Sequence, residues 1–187
     1  MKKLLKRIFR IRFRNEDILK NLKLVIIDID GVLTDGKLYY NESGEFFKIF
    51  DVKDGLGIKL LHQEATVAFL SGNPSEIIAT RARALGIEHC YIGIENKKES
   101  LLSLMYQLKV SKDEVAYIGD DLNDLSVKQL VKLFVCPSDA HLLVKNKSDL
   151  ILKSAGGNGA VREFADLVLE AKGKFHDYAN GIAKSNV

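Results

Sequence analysis

The sequence predicts an α/β domain in which helices cover both faces of a doubly wound parallel sheet. Short apolar runs rich in β-branched residues alternate with segments of helical periodicity, which is typical of parallel sheets with crossover helices. Charged and hydroxyl side chains follow several of these runs directly, where open α/β sheets bind their ligands. At 187 residues, 47% hydrophobic and 28% charged, the chain suits one domain with one core.

The elements of this fold can be assigned from apolar runs and from helix caps. We expect strands at 22–29, 66–70, 90–92, 115–118, 133–135 and 149–152. We expect helices at 55–64, 74–85, 97–109, 122–131 and 159–171. Asn73 and Pro74 are suited to cap and to start the second of these helices, and Gly86 is suited to end it.

The segment 36–50, GKLYYNESGEFFKIF, interrupts the alternation and predicts an inserted β-hairpin with the turn NESG. The segment has five aromatic side chains: Tyr39, Tyr40, Phe46, Phe47 and Phe50. Because an isolated hairpin is marginally stable in water, these side chains need a covering surface. Either the parent domain or another subunit must provide it.

The N-terminus is strongly basic. Its first fourteen residues hold seven Lys or Arg and no acidic residue, so the rest of the chain has a net charge of about −4. Such a segment would suit anionic lipid or nucleic acid, but nothing further along the chain supports nucleic-acid binding. We therefore expect an N-terminal arm at 1–20 that makes no membrane contact, a domain at 21–175 and a C-terminal tail at 176–187.

The composition favours a cytoplasmic protein. No apolar run is long enough to span a membrane, and no signal-peptide core follows the basic start. Cys90 and Cys136 lie in or beside strand-like runs, so we expect buried, reduced thiols and no disulfide.

Acidic residues crowd the loop after the first strand, DIDGVLTDG, which begins at Asp28. Neighbouring carboxylates repel one another and resist desolvation, so a cation or a substrate that uses two carboxylates would explain them. Later strand ends supply further polar groups: Ser71, Gly72, Asn73, Lys97, Lys98, Asp120, Asp121 and Asp124.

The order D-x-D, S, K and G-D-D-x-x-D fits phosphoryl transfer. Carboxylates from two strand ends make an oxygen site for Mg²⁺. Ser71 can donate to a phosphoryl oxygen, and Lys97 can stabilise charge that builds in the transition state. One aspartate can serve as the nucleophile that forms an aspartyl-phosphate, and a second as general acid and then base.

These four motifs resemble those of the haloacid dehalogenase-like (HAD) phosphatases, from Leu22 to about Gly173. The resemblance implies that Asp28 is the nucleophile, Asp30 the acid and base, and Ser71 and Lys97 the phosphoryl-binding groups. It also implies that Mg²⁺ is held by Asp28, by the backbone carbonyl of Asp30 and by Asp120. Asp121 and Asp124 would support these groups.

The stretches DGVLTDG, FKIFDVKDGLGIKLL, GDDLND and SAGGNGAVREF resemble the 3-deoxy-D-manno-octulosonate 8-phosphate (KDO 8-phosphate) phosphatases. These are HAD members without a large cap domain. The resemblance implies a homotetramer built through the 36–50 hairpin, in which a neighbouring subunit helps to close each site. It also implies that a mobile flap precedes Arg162 and that these residues meet the substrate: Asp30, Lys53, Asp54, Gly55, Lys59, Gly72, Asn73, Arg81, Lys97 and Arg162.

Two positions depart from that family's pattern and leave a second substrate class open. Asn73 stands where those enzymes usually have arginine, and Lys53 where arginine is common. Arginine binds a carboxylate in bidentate fashion, which asparagine cannot do. The 9-phosphate of a nine-carbon sialic-type acid is therefore the alternative substrate.

Other classes of protein fit the sequence less well. In a receiver domain the acidic pair comes first and single residues follow, whereas here a second acidic cluster follows Lys97. A P-loop nucleotide enzyme would need G-x-x-x-x-G-K-[ST], which this sequence lacks. A binding or scaffold protein would not need both Asp28 and Asp30.

Overall fold

The predicted strands and the hairpin are present in the computed structural model, which describes residues 15–179 and 181. In chain order the strands are β1 (Leu24–Ile27), β2 (Tyr39–Asn41), β3 (Gly44–Phe47), β4 (Thr66–Leu70), β5 (His89–Tyr91), β6 (Val115–Ile118), β7 (Leu133–Cys136) and β8 (Leu150–Ile151). Six of them form one parallel sheet in the order β5–β4–β1–β6–β7–β8. The chain winds outward from β1 in both directions, so the doubly wound sheet is confirmed.

Helices cover both faces of this sheet. They are α1 (residues 15–21), α2 (Val52–His62), α3 (Glu76–Leu85), α4 (Lys97–Leu108), α5 (Leu142–Lys147), α6 (Ala160–Ala171) and α7 (Phe175–Ala179). Two 3₁₀ helices lie at Lys112–Glu114 and Leu122–Leu130. None of the helices in the described ranges is long and apolar enough to cross a membrane.

Alternate side chains of the strands supply two separate cores, because successive strand residues point to opposite faces. Val25 and Ile27 pack in one apolar cluster with residues of α2, α3 and α6. Leu24 and Ile26 pack in the other with residues of α4, α5 and the 3₁₀ segment Leu122–Leu130. All four side chains are fully buried, so β1 lies at the centre of a three-layer α/β/α domain.

Residues close to both predicted domain boundaries make contacts with the domain. Leu19 of α1 is buried in the first core, so part of the segment that we assigned to the N-terminal arm packs on the domain. Residues 1–14 of that arm lie outside the described residues. Within the predicted C-terminal tail, the Tyr178 hydroxyl donates to Gln63 Oε1 at 3.0 Å.

Several elements differ from the sequence prediction; for example, α1, α7 and the 3₁₀ helix Lys112–Glu114 were not predicted. The prediction that Asn73 and Pro74 begin α3 is wrong, because the helix begins at Glu76 with Ser75 as its N-cap. The segment Leu122–Leu130 is a 3₁₀ helix, and the six-residue α5 was not predicted. The predicted end of α3 is confirmed, since Gly86 adopts the left-handed conformation with φ of 76°.

The inserted hairpin is a small antiparallel ribbon of β2 and β3. The Tyr39 and Phe47 rings stack with centroids 4.5 Å apart. Tyr40 stays 66% exposed, and large apolar side chains nearby are exposed as well: Leu38, Phe47, Ile49, Val52 and Leu56. The parent domain therefore covers only part of this apolar surface.

Candidate active site

The candidate catalytic residues meet at one edge of the sheet, where β1, β4 and β6 end. Ile27 lies opposite Phe69 of β4 and Ile118 of β6 in the parallel register. Asp28, Ser71 and Asp120 follow these strands within two residues and therefore reach the same edge, as the sequence predicted. Asp28 and Ser71 are almost completely buried there.

Lys97 joins two of the aspartates. It is the first residue of α4, and the N-cap Asn96 accepts a hydrogen bond from the Glu99 backbone N–H. The Lys97 ammonium donates to Asp28 Oδ1 and to Asp124 Oδ1, each at 2.7 Å. Its side chain is only 5% exposed, so this positive charge is fixed beside the predicted nucleophile.

Asp124 is fully buried and accepts hydrogen bonds at both of its carboxylate oxygens. Oδ1 accepts from Lys97 and from the Tyr117 hydroxyl at 2.7 Å. Oδ2 accepts from the backbone N–H groups of Asp120 and Asp121 at 2.9 and 3.3 Å. These bonds make Asp124 a support for Lys97 and for the Asp120 loop.

Sequence reasoning did not select Tyr117. Its signal is a single hydroxyl in the otherwise apolar strand VAYI, immediately before the acidic motif.

Three carboxylates at this edge are close enough to hold one metal ion. Oxygens of Asp28, Asp120 and Asp124 lie within 4.8 Å of one another. Because the bonds of Asp124 occupy both of its oxygens, Asp28 and Asp120 are the better ligands for a hard divalent cation. A Cβ on Gly31 would lie 2.0 Å from Asp120 Oδ2, so only glycine lets the loop approach this carboxylate.

The electrostatics of the site also favour a cation. Burial, and then the charge of Asp124, raise the pKa of Asp28 to about 7 although Lys97 opposes the shift. Burial, followed by the charges of Asp28 and Asp124, raises the pKa of Asp120 to about 8. Two carboxylates that resist ionisation near neutral pH indicate a site that a divalent cation would stabilise.

Asp30 forms an ion pair with Lys48, a residue that the sequence analysis did not select. Lys48 Nζ donates to Asp30 Oδ1 at 2.6 Å, and the Lys48 side chain is completely buried. Lys48 follows β3 directly, so the hairpin contributes a charged group to the site. Its signal in the sequence is one basic residue inside the apolar run FFKIF.

The predicted substrate residues of α2 divide into exposed and buried groups. Lys53 is exposed and Lys59 half-buried, so both can meet a ligand. Asp54 is buried, and its two oxygens accept from the backbone N–H groups of Gly159 and Arg162 at 3.1 and 2.8 Å. These bonds give Asp54 the role of anchor for the start of α6.

Arg81 and Arg162, which were predicted to meet the substrate, both pack against α2. Arg81 lies over the Phe50 ring at 5.5 Å, and a Cβ on Gly55 would be 2.4 Å from Arg81 Nη2. Glycine at 55 therefore makes room for the guanidinium. Arg162 donates from Nε to Asp166 Oδ1 at 2.8 Å, an ion pair one helical turn apart.

Asn73 stabilises a turn at the site. Its Oδ1 accepts from the Ser75 backbone N–H at 2.9 Å, and its own N–H donates to Ser71 Oγ at 3.1 Å. The neighbouring Gly72 is exposed. The Asn73 carboxamide NH₂ is therefore the group left to meet a ligand, because its oxygen is engaged in the turn.

The predicted mobile flap, at residues 156–159, is docked in this structure. Gly157 N–H donates to the Val32 carbonyl at 2.9 Å, and Gly156 N–H donates to Asp139 Oδ1 at the same distance. A Cβ on Gly156 would lie 1.9 Å from the Gly31 carbonyl oxygen. The stretch therefore packs directly on the acidic loop.

Sequence comparisons identify relatives of this chain. The family model of haloacid dehalogenase-like hydrolases matches residues 94–164. The chain is 44% identical to the KDO 8-phosphate phosphatase of Haemophilus influenzae over 170 residues, covering 89% of this chain and 94% of the relative. It is 42% identical to the corresponding phosphatase of Escherichia coli over 163 residues, covering 87% and 86%.

Solved structures show the same likeness. The cobalt-bound phosphatase of Haemophilus influenzae matches with a TM-score of 0.86 and 43% identity, over 89% of this chain and 99% of that one. The Moraxella catarrhalis phosphatase, in complex with magnesium, phosphate and KDO, matches with a TM-score of 0.86 and 35% identity, over 90% and 98%. The chain therefore belongs to the haloacid dehalogenase-like hydrolases and, within them, to the family of the 3-deoxy-D-manno-octulosonate 8-phosphate phosphatases.

Proposed function

We propose that this chain is a Mg²⁺-dependent phosphatase that hydrolyses KDO 8-phosphate to KDO and inorganic phosphate. The observation that carries the proposal is the buried contact of Lys97 with both Asp28 and Asp124 at the carboxyl edge of the sheet. A lysine held there neutralises a nucleophilic carboxylate and can bind the phosphoryl group that it attacks. We propose KDO as the sugar acid because the relatives are KDO 8-phosphate phosphatases.

The reaction proceeds in two displacements at phosphorus. A carboxylate oxygen of Asp28 forms a bond to phosphorus as the bond to the sugar oxygen breaks, and Asp30 gives that oxygen a proton. Water then attacks the aspartyl-phosphate, Asp30 takes the proton of the water, and phosphate leaves. Ser71 and Lys97 hold the phosphoryl oxygens in both steps.

Asp28, Asp120 and the backbone carbonyl of Asp30 would hold Mg²⁺. The ion would supply charge neutralisation for the phosphoryl group and for the crowded carboxylates.

The alternative substrate is the 9-phosphate of a nine-carbon acid. It rests on Asn73, which offers an uncharged NH₂ where an arginine would bind a carboxylate. Lys53 and Lys59, exposed and half-buried on α2, offer positive charge that suits a carboxylate of either sugar acid.

A panel of phosphate esters distinguishes between the two candidate substrates. Phosphate release from KDO 8-phosphate, from a nine-carbon acid 9-phosphate and from glucose 6-phosphate should be measured with Mg²⁺ and with EDTA. We expect the highest kcat/KM for KDO 8-phosphate and no release with EDTA. A preference for the nine-carbon ester would establish the alternative, and equal rates on all three esters would contradict a sugar-acid phosphatase.

We also infer a homotetramer in which the 36–50 hairpin packs against its copies. The exposed apolar side chains of the hairpin and of the start of α2 support this assembly, with Tyr40 66% and Val52 80% exposed. Cytoplasmic localisation remains our proposal, and the free thiols of Cys90 and Cys136 are consistent with it.

Light scattering tests the assembly. Four subunits are expected for the native chain and smaller species for Tyr40→Glu, because a buried interface would not accept the charge. Tyr106→Glu is the matched control, since Tyr106 is 88% exposed on α4, which packs on the opposite face of the sheet from α2. A fully active native monomer would refute the tetramer.

A further inference from the structure

The contact between Lys48 and Asp30 links the hairpin to the chemistry. Lys48 Nζ lies 2.6 Å from Asp30 Oδ1, and the lysine side chain is 0% exposed while that of Asp30 is 25% exposed. Burying a whole lysine is costly unless its ammonium is paired. Its pairing with the predicted acid and base therefore places the end of β3 inside the active site.

Asp30 needs such a partner because of its position in the chain. It lies three residues beyond β1, on the loop that continues to Gly31, and its side chain is partly open to solvent. A proton transfer requires the carboxylate to lie within hydrogen-bond reach of the leaving oxygen, and small misplacements lower the rate sharply. A bond that fixes Oδ1 leaves Oδ2 as the oxygen that can face the substrate.

We infer that Lys48 is a positioning residue, which holds the Asp30 carboxylate so that its second oxygen exchanges a proton with the leaving group. This inference rests on the phosphatase function proposed above. It assigns the hairpin a part in catalysis that is separate from subunit assembly. Lys48 itself touches neither phosphorus nor the leaving oxygen in this assignment.

The leaving group provides the discriminating measurement. A sugar alkoxide must be protonated as it departs, whereas p-nitrophenolate leaves as a stable anion and needs little help. We expect Lys48→Met to lower kcat/KM for KDO 8-phosphate, which reports the steps up to departure of the sugar, by about tenfold to a hundredfold. For p-nitrophenyl phosphate kcat/KM should fall by less than about threefold, because the attack of water, in which Asp30 is the base, comes after the leaving group has departed. A merely structural role would lower both rates together.

Three variants control the experiment. Lys48→Arg keeps a charged donor and should recover part of the lost kcat/KM. Lys37→Met removes the exposed lysine that pairs with Asp35 and should leave both rates unchanged. When Lys48→Met is added to Asp30→Asn, the rate on KDO 8-phosphate should fall by less than a further factor of about two. The two residues act as a unit, so the second substitution has little left to remove.

Each outcome decides between the inference and the proposed function. If Lys48→Met does not fold by circular dichroism, Lys48→Gln is measured in its place. Equal losses on the two substrates, no loss on either, or a further loss in the Asp30→Asn background would overturn the role of Lys48 while the phosphatase stands. A native chain that releases phosphate from neither ester would overturn the proposed function and this inference together.

Discussion

Asp28→Asn is expected to lower kcat by at least about a hundredfold and to leave the fold intact. Asparagine keeps the shape of the side chain but lacks the charged oxygen that attacks phosphorus. Burial raises the pKa of Asp28 to about 7, so the fold does not depend on a charge at this position. The measurement is steady-state phosphate release together with thermal unfolding of native and variant protein.

A control in the same loop makes this result specific. Asp35 is exposed and pairs with Lys37, so Asp35→Asn should retain full activity. Native turnover by Asp28→Asn would remove Asp28 as the nucleophile. Equal losses in the two variants would mean that any change in the loop is damaging and that Asp28 has no special role.

Asp120→Asn is expected to abolish Mg²⁺-dependent turnover and yet to stabilise the metal-free fold. The substitution removes one of the two carboxylates best placed for the cation and also relieves their crowding. Its melting temperature in EDTA should rise by about 2–4 °C, the change that about 1 kcal/mol makes in a domain of this size. Mg²⁺ should stabilise the native chain by mass action but not this variant.

The pH dependence gives the same prediction an independent check. The pKa of Asp28 rises to about 7 and that of Asp120 to about 8 in the fold, against about 4 for an unfolded aspartate. The folded state therefore binds more protons than the unfolded state between these values, so metal-free stability falls as pH rises toward 8. Thermal unfolding from pH 5 to pH 9 in EDTA should show this decline.

The Asp120→Asn variant should decline less than the native chain over that pH range. Asp113→Asn is the control and should decline as the native chain does, because the Asp113 side chain is 73% exposed and pairs with Lys132 outside the site. If the metal-free stability of the native chain does not change or rises with pH, the claim that burial and crowding raise the pKa values of Asp28 and Asp120 would be contradicted.

The sequence predicted the sheet and the acidic edge because both depend on local patterns. The β1 run LVII is buried on both faces, which a continuous apolar segment indicates, and its parallel neighbours end in the motifs. Asp28, Lys97, Asp120 and Asp124 then meet because parallel strands share one carboxyl edge. No long-range contact had to be known in advance.

The contacts that the sequence did not predict join segments that are distant in the chain. Lys48 reaches Asp30 across 18 positions, and Asp54 reaches Arg162 across 108. The start of α3 was misplaced because Asn73 forms its side-chain turn two residues before the true cap, Ser75. Short α5 has too few turns for its periodicity to indicate a helix.

Trapping of the covalent intermediate tests the central claim most directly. Asp30→Asn lacks the base for the second displacement, so phosphorylated enzyme should accumulate when it is mixed with Mg²⁺ and p-nitrophenyl phosphate, whose leaving group needs no proton from Asp30. After an acid quench, borohydride reduction and peptide mass spectrometry should locate the acyl phosphate, with Asp28 recovered as homoserine. We predict modification at Asp28, and none in the Asp28→Asn, Asp30→Asn double variant. Phosphate attached to another residue would contradict the account. So would a variant that still releases phosphate but gives no trapped intermediate.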